Sequence, residues 1–264
     1  MRLTNSFIGV SGVGEATERR LWQAGVTRWD DYDPAVARDC RGVGATTADR
    51  IEAFVDEAPE RLDDGDALFF DERFPASERW RLYGDFRDEA AFFDIETTGL
   101  DEHRDDVTTV SVHRDGETRT LVDGGGTSPD HEPLTRERLA DALDAPLLVT
   151  FNGLRFDQPF LETSLGCSLD DAAHLDLMYP CKRLGLDGGL KRIEQDVGID
   201  RDRPDVSGRD AVRLWREYER GDASSLETLV SYNREDTVNL RRLMDLVGDR
   251  LHDEVFVSAC DGGP

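Results

Sequence analysis

The sequence predicts an α/β fold, a mixed β-sheet flanked by helices, with a small all-α domain ahead of it. Three observations carry this. From Ala91 onward, apolar and β-branched runs alternate with segments of helical periodicity. The first three of those runs follow one another as strands of a meander do before helices intervene, the third after the Asp115-Gly116 turn. Upstream, GVGEATERRL from Gly12 aligns without gaps on GVGATTADRI from Gly42, a repeat spaced by 30 residues in which a glycine turn leads into a helix.

In the first copy, Gly25 fits the helix stop, and Val10, Val13, Leu21 and Val26 supply apolar contacts. Only the second copy has room for a complete preceding helix, around Pro34 to Cys40. The repeat resembles the tandem helix-hairpin-helix module, over about residues 5 to 58. In that module the hairpins, here Gly12 and Gly14, then Gly42 and Gly44, offer backbone N–H groups and a helix N-terminus to a phosphate. Glu15 and Ala45 stand where that family often has a basic residue or proline, although Arg19, Arg20, Arg41 and Arg50 lie close by. Contact with nucleic acid, docking of a protein and a purely structural role are the readings left open for this domain, residues 1–58. Residues 59–90 mix acids with Phe69, Phe70, Phe74, Trp80, Tyr83 and Phe86. So many aromatics are unfavourable to expose, which predicts a connector that packs against its neighbours.

The main domain is expected over 91–252, with a tail at 253–264. AAFFDIETT and VTTVSVHRDG read as strands, and ETRTLVDG completes the meander after the Asp115-Gly116 turn. The stretch from Gly124 to Pro133 reads as a loop. EPLTRERLADAL is a helix, PLLVTFNG a short buried strand, FDQPFLETSLG a helix and HLDLMY another strand. Three more helices are predicted at Leu190 to Val197, Gly208 to Glu219 and Ser225 to Arg250.

Acidic residues number 57 against 32 basic ones, a formal net charge of -25, and only Lys182 and Lys191 are lysines. The acids are spread evenly among strong apolar segments, which favours a folded protein adapted to concentrated salt over a disordered one. At about 1 M salt the Debye length is about 3 Å, so global repulsion would not keep such a chain from nucleic acid, and binding would come from close contacts. Cys40, Cys167, Cys181 and Cys260 form no CxxC pair, and the five histidines show no zinc-ligand spacing. These read as reduced thiols. With no signal-peptide pattern and no apolar run near the ~20 residues of a membrane span, a cytoplasmic protein without membrane contact is expected.

The chemistry is concentrated in three segments. In FFDIETTGL, Asp94 and Glu96 are two apart on a strand and point to one face. Two like charges held side by side near a core call for a cation. In VTFNGLRFDQPFL, Asp157 follows a strand end and opens a helix, at the carboxyl edge of the sheet where α/β folds keep their sites. In LVSYNREDTVNL, Tyr232 and Asp236 are four apart and share one helix face. All-oxygen ligands of this kind suit Mg²⁺ or Mn²⁺.

In this order, Asp94-x-Glu96, Asn152-Gly153 with Phe156-Asp157, and Tyr232-x-x-x-Asp236 resemble the DEDD (DnaQ-like) 3′-5′ exonuclease superfamily of ribonuclease H-like fold, in its tyrosine-bearing variant. The likeness covers roughly residues 90 to 250, through HLDLMYPCKRL, GGLKRIEQDVGI and YNREDTVNL, and is nearest to the YprB-type ribonuclease H-like domain, whose members often carry His where this chain has Tyr232. The resemblance implies a ribonuclease H-like mixed sheet and a hydrolase acting at the 3′ end of DNA or RNA with two Mg²⁺ or Mn²⁺ ions. Asp94 would bridge both ions, Glu96 and Asp236 would complete one shell, and Asp157 would help hold the second. Tyr232 would orient the attacking water. Thr97, Thr98 and Gly99 would border the terminal nucleotide and Leu100 would wedge against its base, with Asn152 orienting the site or the nucleic acid. Lys182 and Lys191, with Arg183 and Arg192, are the basic residues expected to meet phosphate or to form a solvated face. His174 and Asp176 match a recurrent strand motif with either a site or a structural role. The helix-hairpin-helix resemblance favours DNA slightly over RNA. A nucleic-acid-binding scaffold without activity and an endonuclease on the same site are the alternatives.

Overall fold

The computed structural model describes residues 1–126 and 128–261, so Thr127 of the expected loop and the last three residues of the expected tail lie outside the described residues. The chain forms two compact units, Met1–Asp88 together with the chain from Asp245 on, and Glu89–Met244. Among the described residues, no helix is long and apolar enough to cross a membrane.

The first unit opens with a 3-10 turn, Leu3–Asn5, where the first repeat has no room for more, and continues through α1 (Glu15–Gln23), α2 (Pro34–Asp39) and α3 (Ala45–Asp63). Gly25, at φ 91°, closes α1: its N–H bonds to Trp22 O and that of Val26 to Leu21 O, satisfying the last carbonyls. The two repeats reciprocate. Arg20 Nη1 donates to the carbonyl of Arg41 at 2.9 Å, and Arg50 Nη1 donates to that of Ser11 at 3.2 Å, each helix bracing the other copy's hairpin. Two arginines expected near phosphate are therefore also internal ties.

The break expected at residue 58 is not there. Helix α3 runs through Pro59 and stops at Asp63, where Gly65, at φ 72°, lets the chain reverse. The segment that follows contains α4 (Ala67–Asp71), a 3-10 stretch (Ala76–Leu82) and α5 (Tyr83–Phe86). Its aromatics fill the unit's core: Phe70 stacks on Trp29 at 6.1 Å between ring centroids, Phe69 on Phe54 at 6.2 Å. The connector is thus an integral part of this unit, because those rings and the repeats bury one another.

A buried ion network ties the unit's ends together. Arg81 and Glu18 have essentially no exposed surface, and Arg81 Nη1 donates to both Glu18 oxygens at 2.8 Å while Nε donates to Glu78 Oε2 at 2.8 Å. Glu18 also accepts the N–H groups of Phe7 (2.7 Å) and Ile8 (3.0 Å). Removing one member strands the others in a low-dielectric core. Arg81→Met is expected to cost about 3–5 kcal/mol, read as a lower urea midpoint of tryptophan fluorescence; a change under about 1 kcal/mol would mean the network is solvated.

The second unit is built on a six-stranded sheet in the order β4-β3-β2-β1-β5-β6. Its strands are β1 (Ala91–Thr97), β2 (Val107–Arg114), β3 (Glu117–Val122), β4 (Glu132–Pro133), β5 (Leu147–Thr150) and β6 (Ala173–Asp176). The β1–β2 and β2–β3 pairs are antiparallel, and β1–β5, β5–β6 and β3–β4 are parallel. This is the mixed, helix-flanked sheet that the resemblance implied. The helices are α6 (Arg136–Ala142), α7 (Asp157–Leu165), α8 (Met178–Arg183), α9 (Leu190–Val197), α10 (Gly208–Glu219) and α11 (Ala223–Leu251).

Three expectations are corrected here. The loop at 124–133 ends in β4, which adds to the sheet edge beside Leu121 and Val122. The strand expected over HLDLMY stops at Asp176 and gives way to α8, because the Asp176 carboxylate accepts the N–H of Met178 at 3.0 Å and starts a helix. Likewise the expected tail is helical as far as Asp261. After α11 come a π-helical stretch, His252–Val257, and α12 (Ser258–Asp261); Val255 and Ala259 are buried, and Phe256 meets Trp22 edge to face at 5.2 Å.

Alternation along β1 decides what the sheet presents. Ala91, Phe93 and Ile95 join a core with Leu139 of α6 and Phe160 and Leu161 of α7. Asp94 and Glu96 therefore project to the other face, the one covered by α10 and α11, whose Leu214, Trp215, Leu229, Val230 and Tyr232 form a second core with Val122.

Candidate active site

The strand that carries the first two acids ends in an irregularity. Pairing of β1 with β2 shifts between Glu96 and Thr97, leaving Thr108 opposite neither, and the extra residue re-aims the strand end. The chain then turns through Thr97 to Gly99, with Thr97 Oγ1 donating to Gly99 O at 2.5 Å and Thr98 Oγ1 accepting the Asp106 N–H at 2.9 Å. A Cβ at Gly99 would sit 2.3 Å from Asp105 Oδ2, so any larger residue there would have to displace the carboxylate that accepts the Asp101 N–H. The turn leaves Leu100 85% exposed, while large apolar side chains are otherwise almost all covered.

Helix α11 brings the other acid. One carboxylate oxygen from each of Asp94, Glu96 and Asp236 lies within 4.8 Å of the other two. Burial raises the pKa of Asp94 first of all, and the charges of Asp236, Glu96 and Asp157 raise it further; Glu96 is raised by burial, then by Asp236 and Asp157. Both stand well above the ordinary carboxylate range. Asp236 is pushed up to about 6 by burial, although Arg201 and a hydrogen bond from Tyr232 pull it down. Such a pocket needs protons or a cation, and the all-oxygen donor set fits a hard divalent ion.

Asp157 takes the first position of α7 and is buried, pushed up to about 7 by burial against the backbone amides of its own residue and Ile95. It lies close enough to act on Asp94 and Glu96 electrostatically but is not part of the tight three-acid group. The loop before it is held from β6. Asp176 Oδ1 accepts the N–H of Asn152 at 2.7 Å, with Asn152 at φ 65°. Gly153 must lack a side chain because its Cβ would fall 2.2 Å from Thr150 Oγ1, and Thr150 Oγ1 meets His174 Nε2 at 2.8 Å. Asn152, His174 and Asp176 thus shape the loop that presents Asp157.

Tyr232 is 7% exposed, one turn before Asp236, and its pKa is raised by burial and then by the charges of Asp236, Glu96 and Asp94. It stays a neutral hydrogen-bond donor. The lysines do not join the cluster: Lys191 Nζ donates to the carbonyl of Val206, and Lys182 is exposed at the end of α8.

Two participants escaped the sequence reading. Asn233, fully buried, donates from Nδ2 to Asp94 Oδ2 at 2.7 Å and accepts from Thr109 Oγ1 at 3.2 Å, which fixes the Asp94 carboxylate. Its signal was present, since Asn233 and Asp236 are three apart on the helix and an amide at a core position needs a partner. Arg201, in the loop between α9 and α10, forms an ion pair with Asp236 Oδ1 at 2.5 Å and a second with buried Glu194. No local pattern announces it.

The RNase_H superfamily model matches residues 91–248. No curated protein matches the chain. Among solved structures, the chain is similar to the family B DNA polymerase from the hyperthermophilic archaeon Pyrobaculum calidifontis, at 17% identity, covering 61% of this chain and 24% of that one with a TM-score of 0.44. It is also similar to a structure described as the apo form of the nuclease, at 21% identity, covering 65% of this chain and 78% of that one with a TM-score of 0.43. The family match takes in every strand of the sheet and the helix that delivers Asp236, and the chain belongs to the RNase_H superfamily.

Proposed function

We propose that the protein is a metal-dependent nuclease that hydrolyses phosphodiester bonds from the 3′ end of nucleic acid, DNA slightly favoured over RNA. The observation that carries this reading is the convergence of Asp94, Glu96 and Asp236 within 4.8 Å, with Asp157 at their edge. These four acids would hold two Mg²⁺ or Mn²⁺ ions, which when bound stabilise charge on the attacking and leaving oxygens of an in-line displacement. Asn233 keeps Asp94 in one orientation. Tyr232, neutral at working pH, donates a hydrogen bond that positions water or Asp236, and is not a base. The Thr97–Gly99 turn borders the reacting end of the strand, and exposed Leu100 is free to stack on its last base. The paired glycine hairpins of the first unit read as a tandem helix-hairpin-helix module that adds grip on duplex backbone, and the chain as a YprB-type protein of a salt-accumulating organism.

The test is cleavage in molar KCl with Mn²⁺ or Mg²⁺, using single- and double-stranded DNA and RNA labelled at the 5′ or the 3′ end. The expected products are a ladder from the 5′ label and mononucleotides from the 3′ label. Internal cuts would make the enzyme an endonuclease. No cleavage under any metal would favour the second reading, a nucleic-acid-binding scaffold, to which the Arg201–Asp236 pair lends a specific reason, since a guanidinium already neutralises one ligand.

A further inference from the structure

We propose that Arg201 is a resident cation that competes with divalent metal for Asp236, so that loading the site exchanges one positive charge for another. The inference rests on the metal-dependent reading above. The Arg201 side chain is 4% exposed and the Glu194 side chain 0%, so the pair is a buried, mutually neutralised unit beside the three-acid group. Its reach to Asp236 is the link between the two. The guanidinium also lies 5.9 Å from the centre of the Tyr232 ring, on the same side of the site as the tyrosine.

Two features make the contact exchangeable rather than a permanent tie. Arg201 Nη1 and Glu194 Oε1 are buried without a hydrogen-bond partner, so the network is only partly satisfied. The loop is anchored independently of Asp236: the preceding residue on α11, Glu235, accepts the N–H groups of Asp202 and Arg203, the latter at 3.2 Å, and Lys191 Nζ donates to the carbonyl of Val206. Arg201 can therefore give up Asp236 while Glu194 retains it and the loop backbone stays in place. In the metal-free protein the same contact removes one charge from a crowded group of acids. Its consequence is a threshold, since metal has to outbid a guanidinium before Asp236 is available.

Isothermal titration of the full chain with Mn²⁺ in molar KCl tests this. Glu194→Gln leaves Arg201 with Asp236 as its only ion-pair partner among the described residues, and is expected to weaken Mn²⁺ binding about tenfold. The double variant Glu194→Gln/Arg201→Gln removes both buried charges and frees Asp236, and is expected to bind Mn²⁺ about tenfold more tightly than the parent. Arg201→Lys keeps the charge and should stay near the parent value. Melting in EDTA checks that each variant is folded. A merely structural pair would weaken binding in both glutamine variants, and equal or weaker binding by the folded double variant overturns the proposal. A parent protein that binds no Mn²⁺ overturns the metal-dependent reading itself.

Discussion

Asp94→Asn is expected to slow cleavage by at least about 10³-fold, some 4 kcal/mol of lost transition-state stabilisation, while making the metal-free protein more stable than its parent. The two effects have one cause. Asp94 stands at the centre of the group, with its pKa raised by burial and by Asp236, Glu96 and Asp157 together. An amide at this position still accepts from Asn233 Nδ2, whose bond to Asp94 Oδ2 is 2.7 Å, so shape and one hydrogen bond survive. What disappears is a negative charge. In EDTA that charge is a cost, because burial and the neighbouring acids oppose it, and each pKa unit by which they raise Asp94 corresponds to about 1.4 kcal/mol. With metal it is the ligand on which the site depends. Steady-state cleavage with excess Mn²⁺ and melting in EDTA, on the same preparation, read both. Lower stability in EDTA with lost activity would mark Asp94 as a structural acid, and retained cleavage would remove the proposed chemistry. An opposite-signed pair of this kind is what a functional site at odds with stability should give.

Local backbone geometry decides which parts of the site were legible in the sequence. Asp94 and Glu96 were visible because strand period 2 forces both to one face, and Tyr232 and Asp236 because they sit one helical turn apart. Asp157 was visible as an acid opening a helix at a strand's carboxyl edge. These are local relations that backbone geometry fixes. Asn233 obeys the same geometry, but an amide on a long helix has no meaning until Asp94 is across from it. Arg201 and Glu194 could not be read locally. Arg201 lies in DRDRPD, a polar stretch indistinguishable from a solvated loop, and its partners stand 7 and 35 residues away in sequence. The fold shows the same division. The meander and the order of later helices followed from periodicity, whereas β4 exists only because β3 offers it an edge, and α3 passes Pro59 because Phe54 and Ala58 are buried around it. The helix at the chain's end had a local cue, Val255 and Ala259 four apart, that its polar neighbours obscured.

The metal-free protein is expected to lose stability as pH rises from about 5 to 8, and divalent metal to restore progressively more of it over the same range. Asp157 is pushed up to about 7 and Asp236 to about 6 from an ordinary 3.8, and Asp94 and Glu96 also stand well above their ordinary values. Below about pH 4 the acids are protonated in folded and unfolded chains alike and cost nothing. As pH rises, the unfolded chain releases its protons first, and the folded chain holds charges it cannot solvate as it passes its own higher pKa values. Stability therefore falls through this window, the reverse of a chain whose acids are salt-bridged. Metal binds the deprotonated carboxylates of the folded state only, so its contribution grows with pH by mass action. Melting at four pH values between 5 and 8, in EDTA and in excess Mn²⁺, should give two curves that diverge upward. The surface charge of -25 would produce a similar fall in dilute buffer. Molar KCl separates the causes, because it screens exposed acids over about 3 Å but reaches a buried group far less. A metal-free curve that becomes flat in molar KCl would assign the pH dependence to the surface and leave the four acids without the mutual strain that a metal would relieve.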